Sequence, residues 1–220
     1  MSGSDLASYI DHTILRPEAT AEQVEQLCQE ASFYGFAAVC VAPCYVQLAQ
    51  KQLGPGSLVK VATVVGFPLG YQHHKVKLLE THQAIEDGAN EIDVVMNLSA
   101  FKSGNYQEVQ NELEDLAKFC HLKGAELKVI IETALLTNEE IVKACELCAA
   151  AEADYVKTST GFAAAGAKVE HLELMRRSLP QHIKIKASGG IKTFADAEAL
   201  VNAGADRLGC SASIQIVKHE

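Results

Sequence analysis

The sequence predicts a (β/α)8 barrel preceded by a short N-terminal helix, and three observations carry that reading. Short β-branched runs recur about eight times along the 220 residues. Most are too apolar for strands with one wet face and suit buried parallel strands. Between them lie segments of helical hydrophobic period, and glycines close several of these just before the next strand. A glycine there takes a left-handed conformation that ends a helix without a Cβ penalty.

In chain order, a short helix leads into a first strand at 9–14. Further strands are expected at 37–41 (AAVCV), 60–65 (KVATVV), 91–95 (EIDVV), 127–131 (LKVII), 155–157 (YVK), 183–186 (IKIK) and 206–209 (DRLG). Helices are expected at 21–34, 75–87, 106–123 and 138–151. Thr20, Thr137 and Thr193 each precede Gln23, Glu140 or Asp196 by three residues, the spacing of an N-cap and its partner. Gly35, Gly88, Gly124 and Gly204 mark helix ends. An open, doubly wound sheet uses the same units, but eight strands favour a closed barrel. Nothing reads as a linker, so residues 1–220 are expected to form one domain.

Composition narrows the function. With 48% apolar and 21% charged residues the chain is globular. Acidic residues outnumber basic ones 28 to 19, for a net charge of −9, which argues against a nucleic-acid partner held by a general positive field. Seven cysteines at no framework spacing, with no signal-peptide pattern in MSGSDLASYIDHTIL, point to free thiols in the cytoplasm. No apolar run approaches the roughly 18 residues of a membrane span. Cys40/Cys44 and Cys145/Cys148 lack partner pairs at zinc spacing, and the adjacent His73 and His74 diverge, so no metal is expected. There is neither a P-loop nor a dinucleotide fingerprint.

In either architecture the chemistry belongs at the carboxyl ends of the strands. Lys157 ends YVK, Lys186 ends IKIK, and Asp93 lies inside EIDVV. A single lysine at a strand end commonly snorkels into water. Two on consecutive strands stand roughly 5 Å apart at the backbone; their repulsion eases the loss of one proton and yields a nucleophile for carbonyls. Asp93 needs a cationic or donor partner if buried, and facing the lysines it can hold a water or an ammonium. Lys128 and Glu132 share one strand parity and extend the charge network. Lys184 shares parity with Lys186, and spacing does not separate the two.

An anion site is the second feature. Ser188-Gly189-Gly190 follows the seventh strand and Gly209-Cys210-Ser211 the eighth, with Thr160-Gly161 after the sixth. Glycines there let backbone N–H groups approach a phosphate, aided by the helix that follows, and barrels often bind phosphate on these two last loops. A lysine beside a phosphate site also suits pyridoxal phosphate or a non-catalytic phosphometabolite binder.

EIDVV, LKVIIET, DYVKTSTGF and KASGGI, in this order and spacing, resemble deoxyribose-phosphate aldolase in its shorter bacterial form, over nearly the whole chain from YIDHTIL to RLGCS. The resemblance implies a class I aldolase, without metal or cofactor. It would cleave 2-deoxy-D-ribose 5-phosphate reversibly to acetaldehyde and D-glyceraldehyde 3-phosphate in deoxyribose phosphate catabolism. It makes Lys157 the Schiff-base lysine, Lys186 the second lysine that lowers its pKa, and Asp93 a partner in proton transfer. Thr160, Gly161, Gly189, Gly190, Gly209 and Ser211 would surround the phosphate, with Asp11, Leu15 and Cys40 lining the rest of the pocket. It implies a homodimer or higher homo-oligomer. Longer members carry a tyrosine-bearing tail implicated in proton transfer; this sequence ends at His219-Glu220 with Tyr155 its last tyrosine, so no donor to the enamine is assigned.

Overall fold

In the computed structural model, which describes residues 2–218, eight parallel strands close into a barrel in chain order. They are β1 (Ile10–Ile14), β2 (Ala38–Val41), β3 (Lys60–Val65), β4 (Glu91–Val95), β5 (Glu126–Ile130), β6 (Tyr155–Lys157), β7 (Lys184–Ser188) and β8 (Arg207–Cys210). Closure runs through β1 and β8, with Asp11 opposite Gly209 and His12 opposite Cys210. The open-sheet alternative is therefore excluded. Met1 and the terminal His219-Glu220 lie outside the described residues.

The helices are α1 (Gly3–Ala7), α2 (Ala21–Tyr34), α3 (Val46–Leu53), α4 (His74–Glu86), α5 (Leu98–Lys102), α6 (Tyr106–Leu122), α7 (Asn138–Ala150), α8 (Val169–Ser178), α9 (Phe194–Asn202) and α10 (Ser213–Val217). Thr20, Thr137 and Thr193 form reciprocal capping boxes on α2, α7 and α9, and Ser2 with Asp5 forms a fourth on α1. Helices α3 and α8 match none of the expected segments. Neither start carries a side-chain cap, so the usual start signal is missing. Gly35 closes α2 in the left-handed conformation at φ 70°.

Alternation along the strands sends one set of side chains out to the helices and the other into the barrel. The outward set is apolar: Val39, Val61, Ile92, Val94, Leu127, Val129, Val156, Ile185 and Leu208 belong to the main core with the inner faces of the helices. Each such side chain contributes roughly 1.5–3 kcal/mol when fully buried. Inside the barrel the apolar part is small: a cluster of Ala38, Cys40, Ala62 and Val64 with Leu15 and Phe67 against it, and the fully buried Val95 and Ile130, which share strand parity with Asp93 and Lys128. Charged residues fill the remainder. Among the described residues no helix is long and apolar enough to cross a membrane.

Two strand limits differ from expectation in ways that matter. Strand β7 runs on to Ser188, so Lys186 sits in mid-strand rather than at its end. Strand β8 runs from Arg207 to Cys210 in place of 206–209, so Gly209 lies within the strand as its run predicts, and of the expected Gly209-Cys210-Ser211 loop only Ser211 lies beyond it.

Candidate active site

Lys157 and Lys186 are register partners on β6 and β7, so the pair read from the sequence is a pair of nearest neighbours. Asp93 lies opposite Lys128 on the β4–β5 ladder. The Asp93 carboxylate binds all three lysines: Oδ2 accepts from Lys157 Nζ at 2.8 Å and Lys186 Nζ at 2.7 Å, and Oδ1 from Lys128 Nζ at 3.0 Å. Lys186 also donates to Asp11, and Lys128 pairs with Glu91 at 2.5 Å. Arg207 closes the network from β8, reaching Asp11 at 2.6 Å, Glu91 at 3.1 Å and the Tyr155 hydroxyl at 3.2 Å. Lys184 lies at the other end of β7, exposed and paired with Glu126 at 3.3 Å. Geometry thus separates the two lysines that spacing left equivalent.

The network's formal charges do not balance. Lys128, Lys157, Lys186 and Arg207 face three carboxylates, Asp11, Glu91 and Asp93. Excess charge in a water-poor interior is costly, so one ammonium is under pressure to lose its proton. Lys128 and Lys186 each hold two or more carboxylates, which outweigh burial and raise their pKa. Lys157 has Asp93 alone. Burial pushes its pKa below the ordinary lysine range, the Lys186 charge adds to the shift, and Asp93 only partly opposes it. The neighbouring lysine therefore acts as expected, but burial is the larger cause. Burial also disfavours an ionised Asp93, yet Lys128, Lys157 and Lys186 together hold its carboxyl well below the usual range.

Above this network, at the carboxyl end of the strands, opens a cavity of about 320 Å³. Among the described residues lining it, Lys157 is the only lysine. Thr160, Gly161, Gly189, Gly190, Gly209, Ser211 and Leu15 line it as well. Gly161 and Gly189 take φ of 85° and 82°, and a Cβ on Gly166 would stand 2.0 Å from the Gly189 carbonyl oxygen, so the β6–α8 and β7–α9 loops lie in direct contact. Gly209 has a second role: a Cβ there would meet Lys186 Cε at 3.2 Å, so its bare backbone makes room for the lysine stem.

Asp11 and Cys40 do not line the cavity. Asp11 is fully buried beneath it, spent on Lys186 and Arg207. Cys40, also fully buried, sits in the small apolar cluster of the interior. Glu132 departs from its expected place too. The chain leaves β5 after Ile130, and Glu132 turns at φ 52°, which breaks the parity shared with Lys128. Its Oε2 accepts from Thr160 Oγ1 at 2.5 Å and from Thr160 N at 3.2 Å, and Thr160 Oγ1 accepts from Phe162 N at 3.1 Å. Glu132 thereby anchors the loop after Lys157 instead of joining the lysines. Helix α10, which follows the Gly209–Ser211 segment, is five residues long, too short for much of the dipole expected there.

Glu91, Arg207, Arg16 and Phe162 were not anticipated. Glu91 shares parity with Asp93, and Arg207 stands two residues before Gly209, so strand alternation could have found both. Arg16 and Phe162 lie on loops, where no periodicity operates; Phe162 meets Phe67 edge-to-face at 5.2 Å. His73 caps α4, outside this cavity.

A closed parallel barrel with a lysine of lowered pKa on the floor of its cavity suits covalent chemistry on carbonyl compounds, as in the barrel lyases. Comparison with known proteins makes the class specific. Residues 6–215 match the family described as DeoC/LacD family aldolase. The deoxyribose-phosphate aldolase of Thermococcus gammatolerans is 51% identical over 219 residues, spanning 99% of this chain and 97% of its own. That of Clostridium tetani is 50% identical over 215 residues, 97% of this chain and 98% of its own. Among solved structures, the tetrameric deoxyribose phosphate aldolase of Aeropyrum pernix superposes with a TM-score of 0.90 at 37% identity, over 99% of this chain and 91% of that one. The chain belongs to the DeoC/LacD family of aldolases.

Proposed function

We propose that this chain cleaves 2-deoxy-D-ribose 5-phosphate reversibly to D-glyceraldehyde 3-phosphate and acetaldehyde, in deoxyribose phosphate catabolism, through a Schiff base on Lys157. The observation that carries the proposal is the position of Lys157: it alone among the network's lysines meets the cavity and has a lowered pKa. Its neutral amine attacks C1 of the open-chain sugar, and loss of water gives an iminium. The iminium draws electrons from the C2–C3 bond as a proton leaves the C3 hydroxyl. That carbon becomes the aldehyde of glyceraldehyde 3-phosphate, and the two-carbon fragment remains as an enamine. Protonation at C2 and hydrolysis release acetaldehyde and the free amine.

Asp93 and Lys186 serve this chemistry together. Asp93 stays ionised and orients both lysines; Lys186 stays cationic, keeps the Lys157 proton loosely held, and passes protons with Asp93 through a bound water. Thr160, Gly161, Gly189, Gly190, Gly209 and Ser211 take the phosphate end, which aligns the scissile bond. Asp11 holds Lys186 from below, while Leu15 and Cys40 form the apolar wall and what lies behind it.

The whole chain acts as one aldolase domain, a reading supported by barrel strands that run from Ile10 to Cys210. Free thiols at all seven cysteines support a reducing, cytoplasmic setting, and the tetrameric Aeropyrum pernix relative supports a homo-oligomer. Incubation with 2-deoxyribose 5-phosphate and borohydride, followed by peptide mass spectrometry, tests the chemistry. A reduced adduct on Lys157 that disappears in Lys157→Leu is expected. An adduct on Lys186 would reverse the two lysine roles, and no adduct would leave a binding protein.

A further inference from the structure

We infer that Arg16 is a specificity-determining residue: its guanidinium recognises the phosphate of the substrate and sets the preference for phosphorylated over unphosphorylated sugar. The inference rests on the aldolase reading and deepens it. A phosphate monoester carries between one and two negative charges at neutral pH, yet the elements expected to hold it are uncharged. The glycine loops offer backbone amides, Thr160 spends its hydroxyl proton on Glu132, and the helix after β8 is five residues long. Lys157 supplies no lasting charge, since it must be neutral to react. Among the described residues lining the cavity, that leaves Arg16 as the only permanent cation.

Its position follows from the barrel. Register between β1 and β8 sets His12 opposite Cys210, so the chain beyond β1 emerges next to the Gly209–Ser211 segment. Arg16 lines the same cavity as Gly189, Gly190, Gly209 and Ser211. Its guanidinium is available. The side chain is 43% exposed and, among the described residues, its one ion pair is with Glu18, 70% exposed, at 3.1 Å. An exposed pair of this kind is weak, so a phosphate can displace Glu18, and a guanidinium suits phosphate through paired N–H donors. On a chain of net charge −9, a cation at the mouth also favours entry of an anion.

Steady-state kinetics with 2-deoxyribose 5-phosphate and with 2-deoxyribose test this, in wild type, Arg16→Gln, Arg16→Lys and Glu18→Gln. We expect Arg16→Gln to raise KM for the phosphorylated sugar roughly ten- to hundredfold, with kcat nearly kept. The loss on unphosphorylated deoxyribose should be several-fold smaller than on the phosphorylated sugar, Arg16→Lys should recover part of the loss, and Glu18→Gln should lower KM slightly. Equal losses on both sugars would assign Arg16 a structural role, and an unchanged KM would remove it from the phosphate site; either overturns the inference. Binding of glycerol 3-phosphate by calorimetry separates this from failure of the aldolase reading. If wild type cleaves neither sugar, weaker glycerol 3-phosphate binding by Arg16→Gln still supports the phosphate contact, and equal binding refutes it.

Discussion

Lys77 and Lys157 are both buried lysines whose pKa burial lowers, yet only Lys157 lines the cavity at the carboxyl ends of the strands. Lys77 lies between α4 and α6, donating to Glu112 at 2.6 Å and to the Val95 carbonyl at 2.8 Å. It has a private carboxylate, and removing its proton would strand a buried anion. Lys157 shares Asp93 with two other lysines, and removing its proton brings the interior to charge balance. A lowered pKa is thus common to a structural lysine and a reactive one. What separates them is access and the number of cations that share one carboxylate.

Lys157→Leu should lower kcat on the order of 10⁴-fold or more without loss of stability. Below the ordinary lysine pKa of about 10.4 the folded state binds the Lys157 proton less tightly than the unfolded chain does, so this group destabilises the fold near neutral pH. Thermal melts at pH 7 should therefore show Lys157→Leu at or above the wild-type Tm. Lys77→Met should do the reverse: it leaves Glu112 buried and unpaired, costs roughly 3–5 kcal/mol in urea unfolding, and preserves activity per folded molecule. The double change Lys77→Met with Glu112→Leu should restore that stability.

The next effect sharpens the role of shared charge. Activity should rise with pH as Lys157 loses its proton, with a midpoint below the ordinary lysine value. Removing a neighbouring cation raises the Lys157 pKa, so Lys186→Met should move the acidic limb of kcat/KM to higher pH. A limb that stays in place would attribute the shift to burial alone. The smallest effect concerns the loop after Lys157. Thr160→Val removes the hydroxyl that donates to buried Glu132, which should cost roughly 1–3 kcal/mol of stability and raise KM more than it lowers kcat.

The sequence revealed more of the barrel than of the charge network inside it. Strand runs, threonine caps and closing glycines are local features, so the eight units, Thr20, Thr137 and Thr193 could all be read directly. The lysine pair was readable because β6 and β7 are consecutive, and consecutive strands in a barrel are neighbours. Arg207 with Asp11, and Lys77 with Glu112, bring together residues far apart in the chain, and only the closed barrel and the packing of α4 against α6 reveal them. Glu132 misled because parity holds only while the strand continues, and β5 ends two residues earlier. Asp11 misled for another reason: its motif placed it near the substrate, while its burial spends it on Lys186 and Arg207.

Of the three lysines on Asp93, Lys157 is the one poised to lose its proton, and Lys128 and Lys186 keep theirs. Competitive reductive methylation of all lysines across a pH series, read by peptide mass spectrometry, measures this directly. Lys157 should titrate below the ordinary lysine value, and its midpoint should rise in Lys186→Met. A Lys157 that titrates at or above the ordinary value, with Lys186 reacting first, would contradict the account.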